Sequence, residues 1–407
     1  MTNSLGSETL RILLHDYGGY SFTNQLGRTL AGRGHRVLYS YSLTTQLMQR
    51  FAPRPAHENL VMAGVQLPRT FNRYSYLRRW RDERLHGRLV GEQVRNFQPE
   101  VVLTANTPLD AQVLIQRASR EVKAAFLFWM QDLIGLAAQK NLSSRFPLIG
   151  PLLGAHYQQL EKKLVIASDA VILISDSFFS YVRGWGITAE RMHLLPNWAP
   201  LEEIPLLPKE NPWAEAQGLA DKFVFLYSGV LGLKHDASLF LALAESFRSD
   251  PEVRVVIVAE GPFAEKLQAQ ACVSALENLV VLPYQPPAEY PQVLASADVL
   301  MTILNTDAGA YSVPSKVNSY LCAGRPQLLS LPCDNDAAQL VSSRKIGLVS
   351  EPGDVESWLM NARALYQNRY NHNQMAMYAR AYAEENFDIE RITDKCETMM
   401  KLALRGG

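Results

Sequence analysis

From residue 11 onward the chain alternates short, continuous apolar runs with longer stretches in which apolar residues recur every three or four positions. RILLHDYGG is an apolar run that ends in two glycines. In SFTNQLGRTLAGRGH, Phe22, Leu26 and Leu30 lie one helical turn apart, and the pattern stops at Gly32-Arg33-Gly34. RVLYSYS resumes the strand pattern, and PEVVLTANTP, AAFLFWMQD and DAVILISDSF follow with helical segments between them. Strands that alternate with helices predict βαβ units around a parallel sheet.

The rhythm breaks at WAPLEEIPLLPKENPW, Trp198 to Trp213, which is rich in proline and acid and has no clean period. That composition predicts an interdomain linker. A second series then runs through KFVFLYSGVLG, a helix from about Asp236, VRVVIVAEGP, LVVLPYQ, ADVLMTIL, RPQLLSL and KIGLVS. The expected fold class is α/β, with two doubly wound Rossmann-like domains facing a central cleft. In such sheets ligands bind beyond the carboxyl ends of the strands. The last segment has helical spacing at Phe387, Ile389, Ile392, Cys396, Met399 and Leu402.

Composition narrows the classes. The chain has 407 residues, enough for two domains, with 47% hydrophobic and 20% charged residues. Lys+Arg and Asp+Glu are 40 each, so a neutral overall field argues against wrapping nucleic acid. Cys272, Cys322, Cys333 and Cys396 form no CxxC pair. They predict buried thiols in a reducing compartment, not a disulfide framework or a zinc site. The first residues show no charged stretch followed by a long apolar one, and no run is long and apolar enough to span a bilayer. The expected location is cytoplasmic.

Three turns in the second half carry candidate chemistry. In AYSVPSKVNSYLCAGRP, Ser315 and Lys316 sit at a helix start, where free N–H groups and the helix dipole suit an anion. In YSGVLGLKHD, Gly229 and Gly232 bracket a turn, followed by Lys234, His235 and the expected N-cap Asp236. Glycines permit close backbone approach, and lysine neutralises phosphate. In VAEGP, Glu260 leads into Gly261-Pro262. Each turn alone reads equally as an ordinary strand-to-helix connection or, for Glu260, as a helix-terminal charge; three in one domain favour a phosphate cradle.

Taken in order, Gly18-Gly19, SDAVILIS with LLPNW (Asn197), YSGVLGLKHD, AEGP, SADVLMTIL and VPSKVNSYLCAGRP resemble a known family. The chain is similar to the retaining nucleotide-sugar glycosyltransferases of the GT-B fold, and within them to the colanic-acid and O-antigen branch that builds bacterial polysaccharides. The resemblance runs over nearly the whole chain. It implies an acceptor-binding domain over 1–204, a donor-binding domain over 205–385 and a C-terminal helix, 386–407, that crosses back to the first. It implies transfer of a sugar from a nucleotide-sugar donor to a hydroxyl acceptor, with no metal and no other cofactor. Gly18, Gly19, Gly229, Gly232, Lys234, Glu260, Gly261, Tyr311, Ser312, Val313, Pro314, Ser315 and Lys316 would then surround the donor, and Tyr284 would stack on the base or remain a partly buried loop tyrosine. Many members carry two glutamates eight positions apart where this chain has Tyr311 and Ser319. A hydroxyl cannot match the bidentate contact of a carboxylate with ribose.

Asp132 ends a strand in LFWMQDLIGL and is the catalytic candidate, to orient the acceptor or take its proton, against a role as helix cap. His15-Asp16, before the glycine pair, is a second, less favoured candidate. Asp334-Asn335-Asp336 has D-x-D spacing but opens a helix, where Asp serves as a cap. Phe71 to Arg95 interleaves Arg73, Arg78, Arg79, Arg81, Arg84 and Arg88 with Tyr74, Tyr76, Leu77 and Trp80. Arg145 to Lys163 adds Phe146, Leu148, Ile149, Leu152 and Leu153. Both stretches suit the inner face of the plasma membrane, with Arg78, Arg79, Trp80 and Arg81 on anionic lipid and a lipid-linked or glycolipid acceptor. The alternative is a solvated helix whose aromatics face the core. A nucleotide-sugar epimerase and a sugar-nucleotide-binding partner without transferase activity are the competing functions.

Overall fold

A computed structural model describes residues 9–43, 57–68, 75–309 and 312–406. Arg73, Tyr74 and Tyr311 lie outside the described residues. The chain forms two compact units, Met1–Asn197 with Ile389–Gly407, and Trp198–Asp388.

The first unit holds a seven-stranded sheet of β1 (Arg11–Asp16), β2 (Arg36–Ser42), β3 (Leu60–Val65), β4 (Val101–Ala105), β5 (Ala125–Met130), β6 (Ala170–Leu173) and β7 (Met192–Leu194). Their order is β3-β2-β1-β4-β5-β6-β7, and every adjacent pair is parallel. The second unit holds a six-stranded sheet of β8 (Phe223–Ser228), β9 (Val253–Val258), β10 (Leu279–Leu282), β11 (Val299–Ile303), β12 (Gln327–Ser330) and β13 (Gly347–Ser350). The order is β10-β9-β8-β11-β12-β13, again parallel throughout. AFLFWM and FVFLYS are buried at every position, as helices on both faces of a parallel sheet require.

In each sheet the chain builds outward from its first strand, then crosses back to that strand's other side. The switch points lie between β1 and β4 and between β8 and β11. There the turns leave in opposite directions and open a crevice beyond the strand ends. Gly18-Gly19 follows β1, and Gly229 follows β8.

The Trp198–Trp213 stretch is not a loose linker. Trp198, Ile204 and Trp213 are buried in the second unit, Arg380 and Arg325 donate to the carbonyls of Ile204 and Leu207, and Lys209 pairs with Asp298 at 2.6 Å. The prolines remove backbone donors, and side chains from the second unit satisfy the exposed carbonyls. The helix Ile389–Gly406 packs on the helix Ser21–Gly32 of the first unit through Ile392, Cys396, Met399, Met400 and Ala403. Leu402, expected on that face, is exposed instead. Arg33 clamps Glu390 and Asp394, and His35 meets Glu397 at 3.1 Å.

Candidate functional site

The β8–β11 switch point gathers the expected phosphate-binding residues. Gly229 leaves β8 with φ +144, a conformation that strains any side chain. A β-carbon there would overlap Lys316 Cε. Lys316 is the first residue of the helix Lys316–Ala323, whose N-cap Ser315 makes no side-chain capping bond. Its ammonium lies 4.8 Å from the centroid of the Tyr227 ring, a cation–π seat. Tyr227 is fixed by its hydroxyl, which donates to the Val230 carbonyl at 2.7 Å. The Ser228 amide donates to the Tyr320 hydroxyl at 3.1 Å, tying β8 to the Lys316 helix.

Lys234 Nζ donates to Ser312 Oγ at 3.3 Å, so the YSGVLGLKHD turn meets the SVPSK turn. Asn335 braces the latter by donating to the carbonyls of Gly309 and Ser312. The Gly232 amide donates to His235 Nδ1 at 3.1 Å. Val313 and Pro314 lead into the helix, where the Val317 amide donates to the Pro314 carbonyl. Burial and the charge of Lys234 lower the Lys316 pKa to about 8. Burial and the same lysines lower His235 to about 4. An anion at the turn would favour the charged form of Lys316.

The VAEGP turn lies beside the Gly229 turn, because the Gly229 amide donates to Val258 O at the end of β9. Gly261 has φ +95 and caps the helix Pro262–Val273. Glu260 Oε1 accepts from the Tyr284 amide at 3.1 Å. Glu260 therefore joins the ends of β9 and β10, and Tyr284 stays partly exposed on the loop it holds. Ser319 hydrogen-bonds Tyr290, a tyrosine that burial pushes up to about 12.

In the first unit Asp16 organises the glycine turn. It is fully buried and accepts from the amides of Gly18 and Tyr20, from Thr23 Oγ1, and, across the switch point, from Asn106 Nδ2 at 3.1 Å. Burial raises its pKa, and these donors draw it back. Gly19 takes φ +63, while a β-carbon on Gly18 would overlap the Tyr20 ring. His15 is also fully buried, with Nε2 3.3 Å from His86 Nε2 and Nδ1 facing Ser40. Burial holds both histidines well below their ordinary range, His86 at about 3. These contacts give the second catalytic candidate, His15-Asp16, a structural task.

Asp132 follows β5. The next helix, Ile134–Arg145, has Leu133 at its N-cap position, one residue after Asp132. Asn197 Nδ2 donates to Gln131 Oε1 at 2.6 Å beside it. The helix Gly150–Ile166 runs back along this helix at close range: a β-carbon on Gly135 would fall 2.9 Å from Gln158 Cα, and one on Gly154 2.6 Å from Gln139 Cα. The connection leaves Leu148 92% and Leu152 75% exposed. Phe146 packs edge-on to Tyr76 at 5.6 Å, and Arg145 lies over that ring.

The two membrane-like stretches are thus adjacent. On the helix Tyr76–Phe97, Arg78 and Arg81 are exposed. Arg79 binds back to Glu83 at 2.7 Å, and the Trp80 indole donates to Asp110.

The D-x-D stretch forms a helix start in which Asn335, not an aspartate, is the cap and accepts from the Ala337 amide. The β8 turn continues past Asp236, and its helix begins at Ser238. Among the described residues, no group of three His, Cys, Asp or Glu is placed to hold a metal ion, and no helix is long and apolar enough to cross a membrane. Tyr227 and Asn335 escaped sequence reasoning, because a strand tyrosine and a capping asparagine carry no local sign of a distant partner.

A glycosyl transferase 4-like domain matches residues 18–198, and a glycosyl transferases group 1 domain matches residues 222–368. No curated protein matches in sequence. Among solved structures, Anabaena HepE in complex with UDP and glucose aligns with TM-score 0.72 and 16% identity, covering 96% of this chain and 99% of that one. Sucrose-phosphate synthase from Thermosynechococcus elongatus aligns with TM-score 0.74 and 15% identity, over 96% and 98%. The α,α-trehalose 6-phosphate synthase from Burkholderia multivorans aligns with TM-score 0.68 and 12% identity, over 97% and 98%. With both domains matched in order and each unit built on a parallel Rossmann-like sheet, the chain belongs to the GT-B glycosyltransferase family.

Proposed function

We propose that this protein transfers a sugar, with retained anomeric configuration, from a nucleotide-sugar donor to a hydroxyl acceptor. The observation that carries the reading is the Gly229 turn, over which Lys316 lies beside Lys234 at the start of a helix. The leaving group is a nucleoside diphosphate. Two ammonium groups and the N-terminus of the Lys316–Ala323 helix stabilise the charge that develops as the sugar–oxygen bond breaks. On this reading no metal is needed. Glu260 sets the loop on which Tyr284 meets the base, and Gly18-Gly19 lets the first unit's backbone approach the donor. Asp132 orients the acceptor hydroxyl or takes its proton.

A uridine nucleotide is the first donor to test, because HepE is a fold neighbour crystallised with UDP and with UDP-glucose. A ligand that binds the native state raises its melting temperature. UDP is expected to raise it, and Lys316→Met to abolish the rise. No rise with UDP, GDP or ADP would defeat the reading. The anomeric proton of the product, followed by NMR, decides retention.

For the acceptor we propose a lipid-linked saccharide or glycolipid on an anionic membrane surface, in polysaccharide biosynthesis. This is supported by the exposed Leu148, Ile149, Leu152 and Leu153 just after Phe146, which packs on Tyr76 beside Arg145, and by the exposed Arg78 and Arg81 on the helix that Tyr76 begins. Exposed aliphatic side chains near basic ones match the boundary between headgroups and acyl chains.

A further inference from the structure

Glu161 lies on the helix Gly150–Ile166 and is fully buried. Buried carboxylates are rare unless their oxygens have partners. Here Oε2 accepts from the Tyr181 hydroxyl at 3.3 Å, while Oε1 is buried without a partner among the described residues. The carboxylate faces the start of the Ile134–Arg145 helix. A β-carbon on Gly135 would fall 2.7 Å from Oε2. The N-cap position of that helix is Leu133, whose side chain offers no acceptor. The amides of Gly135 and Ile134 stabilise the Glu161 charge, and Asp132 is close enough to oppose it. A helix start leaves its first N–H groups without acceptors; here the acceptor comes from a residue far along the chain. Burial drives the carboxyl up to about 7 in spite of these donors.

We propose that Glu161 is a positioning residue for Asp132: from the returning helix it fixes the first turn of the helix after β5, and with it the Gln131-Asp132 turn that carries the acceptor-side group. The inference rests on the transferase reading above and deepens its first-unit half.

The test compares Glu161→Ala, Glu161→Gln and Tyr181→Phe with the unaltered chain, using release of UDP from UDP-glucose with water as acceptor. Alanine removes the acceptor for the helix amides; glutamine keeps one. The expected result is a loss of tenfold or more in kcat for Glu161→Ala with the donor KM within about twofold, since the donor is held in the second unit. Glu161→Gln should recover most of the rate, and Tyr181→Phe should fall between. A Glu161→Ala variant that melts earlier but turns over at the original rate would overturn the positioning role. So would a Glu161→Gln variant no better than alanine. Failure of the unaltered chain to release a nucleoside diphosphate from any UDP-, GDP- or ADP-sugar, with or without acceptor, would instead overturn the transferase reading.

Discussion

Lys316 lies across Gly229 so closely that a β-carbon on the glycine would fall 3.0 Å from the ammonium nitrogen. Gly229→Ala therefore strains the backbone at φ +144 and evicts the lysine from its seat on Tyr227. The expected cost in stability is about 1–3 kcal/mol, measured by chemical denaturation. UDP affinity should drop at least tenfold by calorimetry. Gly232 is the control: a β-carbon there meets nothing within 4 Å, so Gly232→Ala should leave the Lys316 seat intact and change UDP affinity far less.

The charge on Lys316 makes diphosphate binding depend on pH. Its pKa is lowered to about 8 by burial and by Lys234, and a bound anion favours the charged form. As pH rises through 8 the free protein loses that proton, so UDP affinity should fall, and binding above pH 8 should take up a proton. Calorimetry in two buffers of different ionisation enthalpy measures the uptake. Lys316→Met should abolish it and weaken binding by about 1.5–3 kcal/mol, the size of a charged hydrogen bond.

Glu161 gives stability a slope in the neutral range. Its pKa in the fold is raised to about 7 from an ordinary 4.5. A raised carboxyl pKa means that its stabilising contribution is full below the unfolded value and is lost as pH rises through the folded one. The protein should therefore be less stable at pH 8 than at pH 5 by up to roughly 3 kcal/mol from this group. Glu161→Gln should flatten that part of the curve; an unchanged slope in urea titrations would refute the assignment.

Membrane contact should depend on a subset of the arginines. Arg78 and Arg81 are exposed; Arg79, half-exposed, is bound to buried Glu83. Replacing Arg78 and Arg81 by Glu, or Leu148 and Leu152 by Asp, should abolish sedimentation with anionic vesicles and leave the melting temperature within a few degrees. Arg79→Glu should destabilise the fold, because it sets a second carboxylate against Glu83. Undiminished sedimentation in both surface variants would reject this face as the docking site.

Asp16 holds four donors around the first glycine turn. Asp16→Ala leaves them without their acceptor at a buried site, at an expected cost of about 2–4 kcal/mol, read from urea denaturation. Asp16→Asn, which keeps one acceptor, should cost less.

The alternation of apolar runs with three-to-four-residue periods determined the two parallel sheets, because side-chain period and burial are local properties of a strand or helix. The glycine turns were legible for the same reason: close approach and unusual φ demand glycine wherever they occur. Local chemistry misjudged the ends of elements. In the D-x-D stretch an aspartate read as the cap, yet Asn335 fills that place; Asp236 accepts from the Ser238 amide, but the helix begins two residues after it. The proline-rich Trp198–Trp213 stretch read as a linker, because the residues that strap it, Arg325 and Arg380, lie more than a hundred positions away.

Tertiary structure alone decided which charges meet. It set Lys316 on Tyr227, joined Lys234 to Ser312 and brought Glu161 to the start of a helix it does not belong to. Each of these partnerships depends on distance through space and on exclusion of water, and neither quantity is written in the spacing of residues along the chain.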